Sequence, residues 1–387
     1  MTQREREILQ IIRDDPMISQ YDIAKKLGIT RSAISAYLNT MYKKGILKGR
    51  GYIINEELKP LLIGPSHVDI RSVCVDRNAG QSTPIYTAAQ TQITYGGPIK
   101  NIAEYLMEFG ISSRAMFAVA SDSFGASFLS ACRQKGIDSS GSVVVPNSTS
   151  PVYMEMVDQD QQLIASSFAT SDLTTAITPA HLAGQSPLLR GTNLIALHDS
   201  VPPESVTAIH TISPSANLFL VSSSAEYSLR HVPLFPLFCR AMLHYDIAFE
   251  IVSQVGDLGR MLDYTPDQPL PIVRALAKLG LSNFYLLLDH SSVCHCDGKT
   301  LTVHIAQLPA GAGGSLAYLY SDCRDIFSAL ALYSLENQTP GEELLDLLAA
   351  AQYLVGSSSA YFDRSVTIGS LEKRASELIC RLKTFQL

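Results

Sequence analysis

Apolar and polar positions along the first fifty residues repeat at helical spacing. Ile8, Leu9, Ile11 and Ile12 gather on one side of a charged segment, and Asp14-Asp15-Pro16 ends the pattern because proline disfavours helix in the residue before it. Ser19 can cap a second helix with Ile23, Ala24 and Leu27 on one face, and Gly28 ends it with a left-handed turn. Thr30 caps a third helix, in which Ile34, Leu38 and Met41 fall at i, i+4 and i+7 and face inward. That leaves Arg31, Ser32, Ser35, Ala36, Asn39 and Lys43 outward. Ile46-Leu47 and Tyr52-Ile53-Ile54 predict two short strands around the basic turn Lys48-Gly49-Arg50-Gly51.

From Lys59 onward short apolar runs alternate with helical patterns, which predicts a parallel α/β body. The strand-like runs are 115–119, 193–197, 218–221 and 284–288, and amphipathic helices fit 99–109, 124–135, 270–279 and 341–355. A last helix is expected over 370–384, with Leu371, Leu378, Ile379 and Leu382 on its apolar side. Ser/Thr-rich stretches at 147–150, 165–175 and 222–224 are expected to be surface loops. The division expected is 1–58 and 59–387, the second a single large domain.

Charge sharpens that division. Residues 1–60 hold 11 Lys/Arg and 7 Asp/Glu, whereas the remainder holds 19 and 29. A basic module on an acidic body points to a polyanion partner for the module alone. With 46% apolar and 17% charged residues the chain is globular, and it has no apolar run long enough to expect a membrane partner. Seven scattered cysteines and a charged N-terminal segment lead us to expect reduced thiols and a cytoplasmic protein.

Three helices followed by a basic hairpin resemble a winged helix-turn-helix domain across residues 3–55. The resemblance implies double-stranded DNA as partner. Helix 31–43 would enter the major groove with Thr30, Arg31, Ser32, Ser35, Asn39 and Lys43 at the interface, while Lys48 and Arg50 would reach the backbone or minor groove.

The body resembles the ribokinase-like (PfkB) family of sugar and nucleoside kinases through motifs in a fixed order. Leu62-Ile63-Gly64 running to Asp69 looks like that family's opening strand, whose terminal Asp binds sugar hydroxyls. Gly96-Gly97 and Asn101 match its Gly-Gly-x-x-x-Asn signature, where glycines allow close approach to substrate. Val119 to Gly125, Gly136-Ile137-Asp138, and Ser148 to Asp158, the last resembling the lid strand, keep the order. An α/β fold with a small β lid is implied, together with a ligand pocket at Asp69, Gly96, Gly97 and Asn101 and a sugar or nucleoside ligand.

The second half departs from the family. Its Gly-Ala-Gly-Asp segment supplies an anion hole and a base. Here two registers compete: Gly311 to Gly314 keeps glycines but no carboxylate, and Asp322-Cys323-Arg324-Asp325 keeps Asp325 but no glycines. The second is preferred, because Phe327, Ala329, Leu332 and Tyr333 continue into the family's helix pattern, which makes Asp325 the candidate base position. The family's Asn-x-x-Glu is missing near His244 to Glu250, and Asp289 to Ser292 replaces its Thr-x-Gly turn. The expectation is a pseudokinase without cofactor, with ATP and magnesium needed only if the chain is instead an active kinase. A homodimer is expected from the family's lid pairing. Cys294-His295-Cys296 places two sulfurs on one face of a strand and the imidazole on the other, so no metal site is expected.

Overall fold

The computed structural model describes residues 2–47, 59–74, 89–159, 163–169, 171–255, 269–288, 292–297, 302–307, 316–337, 339, 341–357, 365–378 and 381–386. Helices α1 (Gln3–Asp14), α2 (Gln20–Leu27) and α3 (Arg31–Lys43) begin at Thr2, Ser19 and Thr30, each of which accepts a backbone N–H in its first turn. Gly28 ends α2 at φ 65°, a conformation that Cβ-bearing residues avoid. Ile8, Ile12, Ile23, Ile34, Leu38, Met41, Ile46 and Leu47 form a separate small core. The expected hairpin turn, with Lys48 and Arg50, lies outside the described residues.

The body starts with β1 (Leu61–Pro65), β2 (His67–Cys74), β3 (Ala89–Gly96), α4 (Pro98–Glu108), β4 (Arg114–Ala120), α5 (Ser123–Gln134), β5 (Val143–Val145), β6 (Val152–Val157) and β7 (Leu163–Ala169). It continues through α6 (Pro179–Gly184), α7 (Ser186–Arg190), β8 (Leu194–His198), α8 (Pro203–Ile212), β9 (Asn217–Val221), α9 (Ala225–His231), β10 (Phe238–His244), α10 (Tyr245–Gln254) and α11 (Leu270–Lys278). It closes with β11 (Asn283–Leu287), β12 (Ser292–Asp297), β13 (Thr302–Gln307), α12 (Leu316–Asn337), α13 (Gly341–Ser357), α14 (Ile368–Glu377) and β14 (Arg381–Gln386).

Among the described residues the central sheet runs β14-β13-β12-β11-β10-β9-β8-β1-β4-β5, parallel from β11 to β5 and antiparallel from β11 to β14. Helices cover both faces. Leu62, Phe117, Phe219 and Tyr285 pack against α4, α5, α12 and α13, while Leu61, Ile63, Ile195 and Leu197 pack against α8, α10 and α11. That alternation along single strands explains why they read as unbroken apolar runs. The four strands β3-β2-β6-β7 form a separate lid.

Three expectations are corrected. The opening run to Asp69 is two strands in two sheets, broken at Ser66, whose hydroxyl donates to the Ala118 carbonyl at 2.8 Å. The helix expected over 370–384 stops at Glu377, and β14 then pairs along the edge of β13, so tertiary pairing overrides the local helical period. Nor are the Ser/Thr-rich stretches all surface loops: 165–169 belong to β7, and Ser222 is buried.

Candidate functional site

The lid, the C-terminal ends of β1 and β8, and the start of α4 meet at one place. Gly96 ends β3 and sits under the Asp69 carboxylate, where any Cβ would collide with Oδ2. Gly97 caps α4 at φ 116°, and a Cβ there would lie 3.1 Å from the Pro65 carbonyl oxygen. Those two glycines leave room for the close approach of the Asp69 carboxylate and of the Pro65 carbonyl. Asn101, one turn into α4, is 7% exposed; its Nδ2 donates to Asp325 Oδ2 at 2.8 Å, while its Oδ1 has no partner among the described residues.

Asp325 is 1% exposed, and its Oδ1 also accepts from Arg324 Nε and Nη2, both at 2.9 Å. His67 Nε2 lies 3.0 Å from Asp69 Oδ1. His198, at the end of β8, was not among the sequence candidates; its one signal was a His-Asp pair closing an apolar strand. Burial pushes its pKa down to about 4, against the pull of Asp199, and Arg324, Asp325 and His67 also act on it. Its Nδ1 accepts from the Ser200 N–H at 3.2 Å and lies 2.8 Å from the Ser200 hydroxyl, so the neutral ring carries its proton on Nε2.

The structure therefore brings Asp69, Gly96, Gly97, Asn101 and Asp325 together across the length of the chain. The setting of Asp325 differs from the expected one. Instead of opening a helix, it stands nine residues inside α12. Only the first four amides of a helix are free, so the N–H groups of residues 322–325 are committed to carbonyls of the preceding turn. Gly311 to Gly314 lie outside the described residues.

Residues 1–48 match the winged helix-turn-helix DNA-binding family, and residues 65–230 match the pfkB family carbohydrate kinases. The chain joins a winged helix-turn-helix domain to a PfkB domain. It is 29% identical over 236 residues to an uncharacterized sugar kinase of Escherichia coli K12, a match covering 60% of this chain and 63% of that protein. A pseudouridine kinase from the same organism is 23% identical over 166 residues, or 43% of this chain and 51% of its own. The chain thus spans less than two thirds of the length of these curated relatives. The fold is shared with a carbohydrate kinase from Agrobacterium tumefaciens (TM-score 0.65, 18% identity, 84% of this chain and 99% of that one). It is also shared with ribokinase from Thermotoga maritima (TM-score 0.62, 13% identity, 82% and 99%).

In the winged helix-turn-helix domain, Thr30, Arg31, Ser32, Asn39 and Lys43 are exposed on one side of α3 and Ser35 is half-buried. The last turn of α3 touches the PfkB domain, where the Lys43 carbonyl accepts from the Ser215 hydroxyl at 3.5 Å. Within the PfkB domain, Asp199 is held by donors from Ser223, Ser224 and Ser228, which gives it a structural role at the β8–β9 ends. His244 caps α10 by accepting the Asp246 N–H at 3.2 Å, and Glu250 is exposed further along that helix. Cys294 and Cys296 share one buried face, where burial pushes the Cys296 thiol up to about 12. His295 points to the other face and stacks on Tyr285 at 4.6 Å. No group of three or more His, Cys, Asp or Glu residues among the described residues is arranged to hold a metal, and no described helix is long and apolar enough to cross a membrane.

Proposed function

We propose that this chain is a cytoplasmic, DNA-binding transcriptional regulator, with a winged-helix domain over 1–58 and a PfkB body over 59–387 that senses a small polar molecule without phosphorylating it. The observation that carries this reading is the unbroken course of α12 from Leu316 to Asn337 through Asp325. A phosphoryl group in transfer needs free amides or a cation beside the base. Here the amides are spent inside the helix, and Arg324 is engaged with Asp325 itself.

Loss of one oxyanion donor costs about 10²–10³ in rate, whereas binding of a hydroxylated ligand needs only a few placed acceptors. Asp69, Gly96, Gly97 and Asn101 are the proposed ligand site; Thr30, Arg31, Ser32, Ser35, Asn39, Lys43, Lys48 and Arg50 are the proposed DNA contacts. The contact of Lys43 with Ser215 offers a route from body to recognition helix. Dimerisation is part of the proposal. On the outer lid face Ile93, Ile70 and Met154 pair in one row, with Ile93 and Met154 50% and 49% exposed, an apolar strip suited to a second copy.

A second reading, an active sugar or nucleoside kinase using ATP and magnesium with an attached DNA-binding domain, is favoured by the survival of Asp325 beside Asn101. Genomic footprinting combined with an ADP-release assay on the full chain separates the two. The regulator reading expects occupied promoters and no turnover of sugars or nucleosides. Turnover at ordinary kinase rates overturns the pseudokinase, and an empty footprint overturns the regulator.

A further inference from the structure

The winged helix-turn-helix domain and the PfkB body meet beside a cleft far from the lid. Gly45, at φ 73°, approaches the body so closely that a Cβ there would lie 3.1 Å from the Arg190 carbonyl oxygen, and the Ser215 hydroxyl donates to the Lys43 carbonyl at 3.5 Å. Next to these contacts a cavity of about 690 Å³ opens, walled by Tyr42 and Leu47 on one side and by Pro187, Ile212 and Pro214 on the other. Its volume is that of a small-molecule site, and such sites favour domain junctions.

Charge in the cleft has one sign. Lys43 and Arg190 are its charged side chains; both are exposed, and neither has an ion-pair partner among the described residues. The helix ends beside them are already satisfied. The Gly45 and Ile46 N–H groups donate to the Tyr42 and Met41 carbonyls, and the Gly191 N–H to those of Pro187 and Leu188, so the two cations are not spent on helix termini. Two uncompensated cations between apolar walls suit an anion on an apolar body. An uncharged sugar would leave both unmet.

We propose that this cleft is a second ligand site, for a small organic anion whose apolar part lies against Leu47, Ile212 and Pro214 while its charged group meets Lys43 and Arg190. The two cations come from different domains, so a single ligand bridges them. Lys43 is also among the DNA contacts proposed above, and anion and DNA phosphate therefore compete for it, each weakening the other's binding by the same factor. That competition rests on the DNA-binding reading; the binding of the anion does not.

The test is calorimetric titration of the full chain with phenyl phosphate, inorganic phosphate and benzyl alcohol. Phenyl phosphate is expected to bind about tenfold or more above either of the others, since burial of one ring face is worth about that factor. Arg190→Ala should weaken it by about tenfold, as loss of a charge-assisted pair does, and Pro214→Glu, which brings a carboxylate into the cleft, should weaken it further. Both side chains are exposed, so neither change opens a core. In DNA titrations at about 0.15 M salt, saturating phenyl phosphate should lower affinity roughly fivefold relative to inorganic phosphate at equal ionic strength, the contribution of one phosphate contact. Absence of phenyl phosphate binding, or binding indifferent to Arg190→Ala and Pro214→Glu, overturns the cleft assignment. Unchanged DNA affinity in the saturated chain overturns the competition. A chain that takes no DNA before any anion is added overturns the regulator reading instead, and the cleft is then judged on calorimetry.

Discussion

A carboxylate as deeply buried as that of Asp325 persists only while its donors stay in place. Asn101→Leu removes the Nδ2 donor, and the expected loss is about 1–3 kcal/mol in chemical denaturation, with the ligand-induced thermal shift abolished as well. An unchanged denaturation midpoint would show that Oδ2 has another donor. In the small domain Glu5 is the comparable case. Burial works to raise its pKa, but the Lys44 ammonium at 2.7 Å, the Thr2 N–H and the Lys44 charge outweigh it, and the value lies below the ordinary 4.5. A carboxylate with a lowered native pKa stabilises the fold above its unfolded value and loses that contribution as pH falls through the native one. Glu5→Gln is therefore expected to lose about 2 kcal/mol at neutral pH and to flatten the acid limb of the winged helix-turn-helix melt. Single residues differed in how legible they were. Asp69, Gly96, Gly97 and Asn101 stand in a spaced motif, whereas His198 is one imidazole ending an apolar run, and only the packed ends of β1, α4 and α12 give it neighbours.

Elements with a clear period were legible and those defined by pairing were not. The strands and helices placed by pattern at 115–119, 193–197, 218–221, 284–288, 99–109, 124–135, 270–279 and 341–355 each correspond to an element with ends within two residues. The break at Ser66 was hidden because the apolar run continues across it, and β14 because its partner edge lies nearly eighty residues away. Helix α12 hid its start for another reason: Gly311 to Gly314 and Ser321-Asp322 both resemble breakers, yet the helix begins between them at Leu316. That start carries a prediction. Arg324→Gly restores a glycine of the family segment, but the surrounding amides remain inside the helix, so no phosphoryl transfer should appear in an ADP-release assay. Stability should fall by about 1 kcal/mol for glycine in a helix interior, and further for the lost ion pair with Asp325. Appearance of kinase turnover in this variant would mean that α12 opens when relieved of Arg324.

On the scale of the whole molecule the two halves answer to different variables. Buried His198 and His295 both have pKa values pushed down to about 4 by burial, so below 6.5 the unfolded chain takes up protons that the native body refuses. The body should lose stability from pH 6.5 toward 4, at up to about 1.4 kcal/mol per pH unit for each group. His198→Asn is expected to reduce that slope in denaturation series, and an unaltered slope would place the titration elsewhere. The basic module answers instead to salt. Each phosphate contact contributes about −0.9 to the slope of log K against log salt, so Lys43→Ala should weaken all DNA sequences alike and flatten the slope by about one, whereas Arg31→Ala or Asn39→Ala should relax specificity by ~1–3 kcal/mol if they meet base edges. One module offers a small footprint, and the proposed lid pairing would supply two under a two-fold axis. That symmetry demands a palindromic operator with half-sites about one helical turn apart or a multiple of it. Met154→Glu with Ile93→Glu puts four charges on a self-facing strip that is apolar in the wild type. Sedimentation should then change from dimer to monomer, and footprints should shrink to single half-sites at higher protein concentration. If the double variant sediments as the wild type does and still protects both half-sites, the lid is not the interface, and the symmetry of the operator must come from elsewhere in the body.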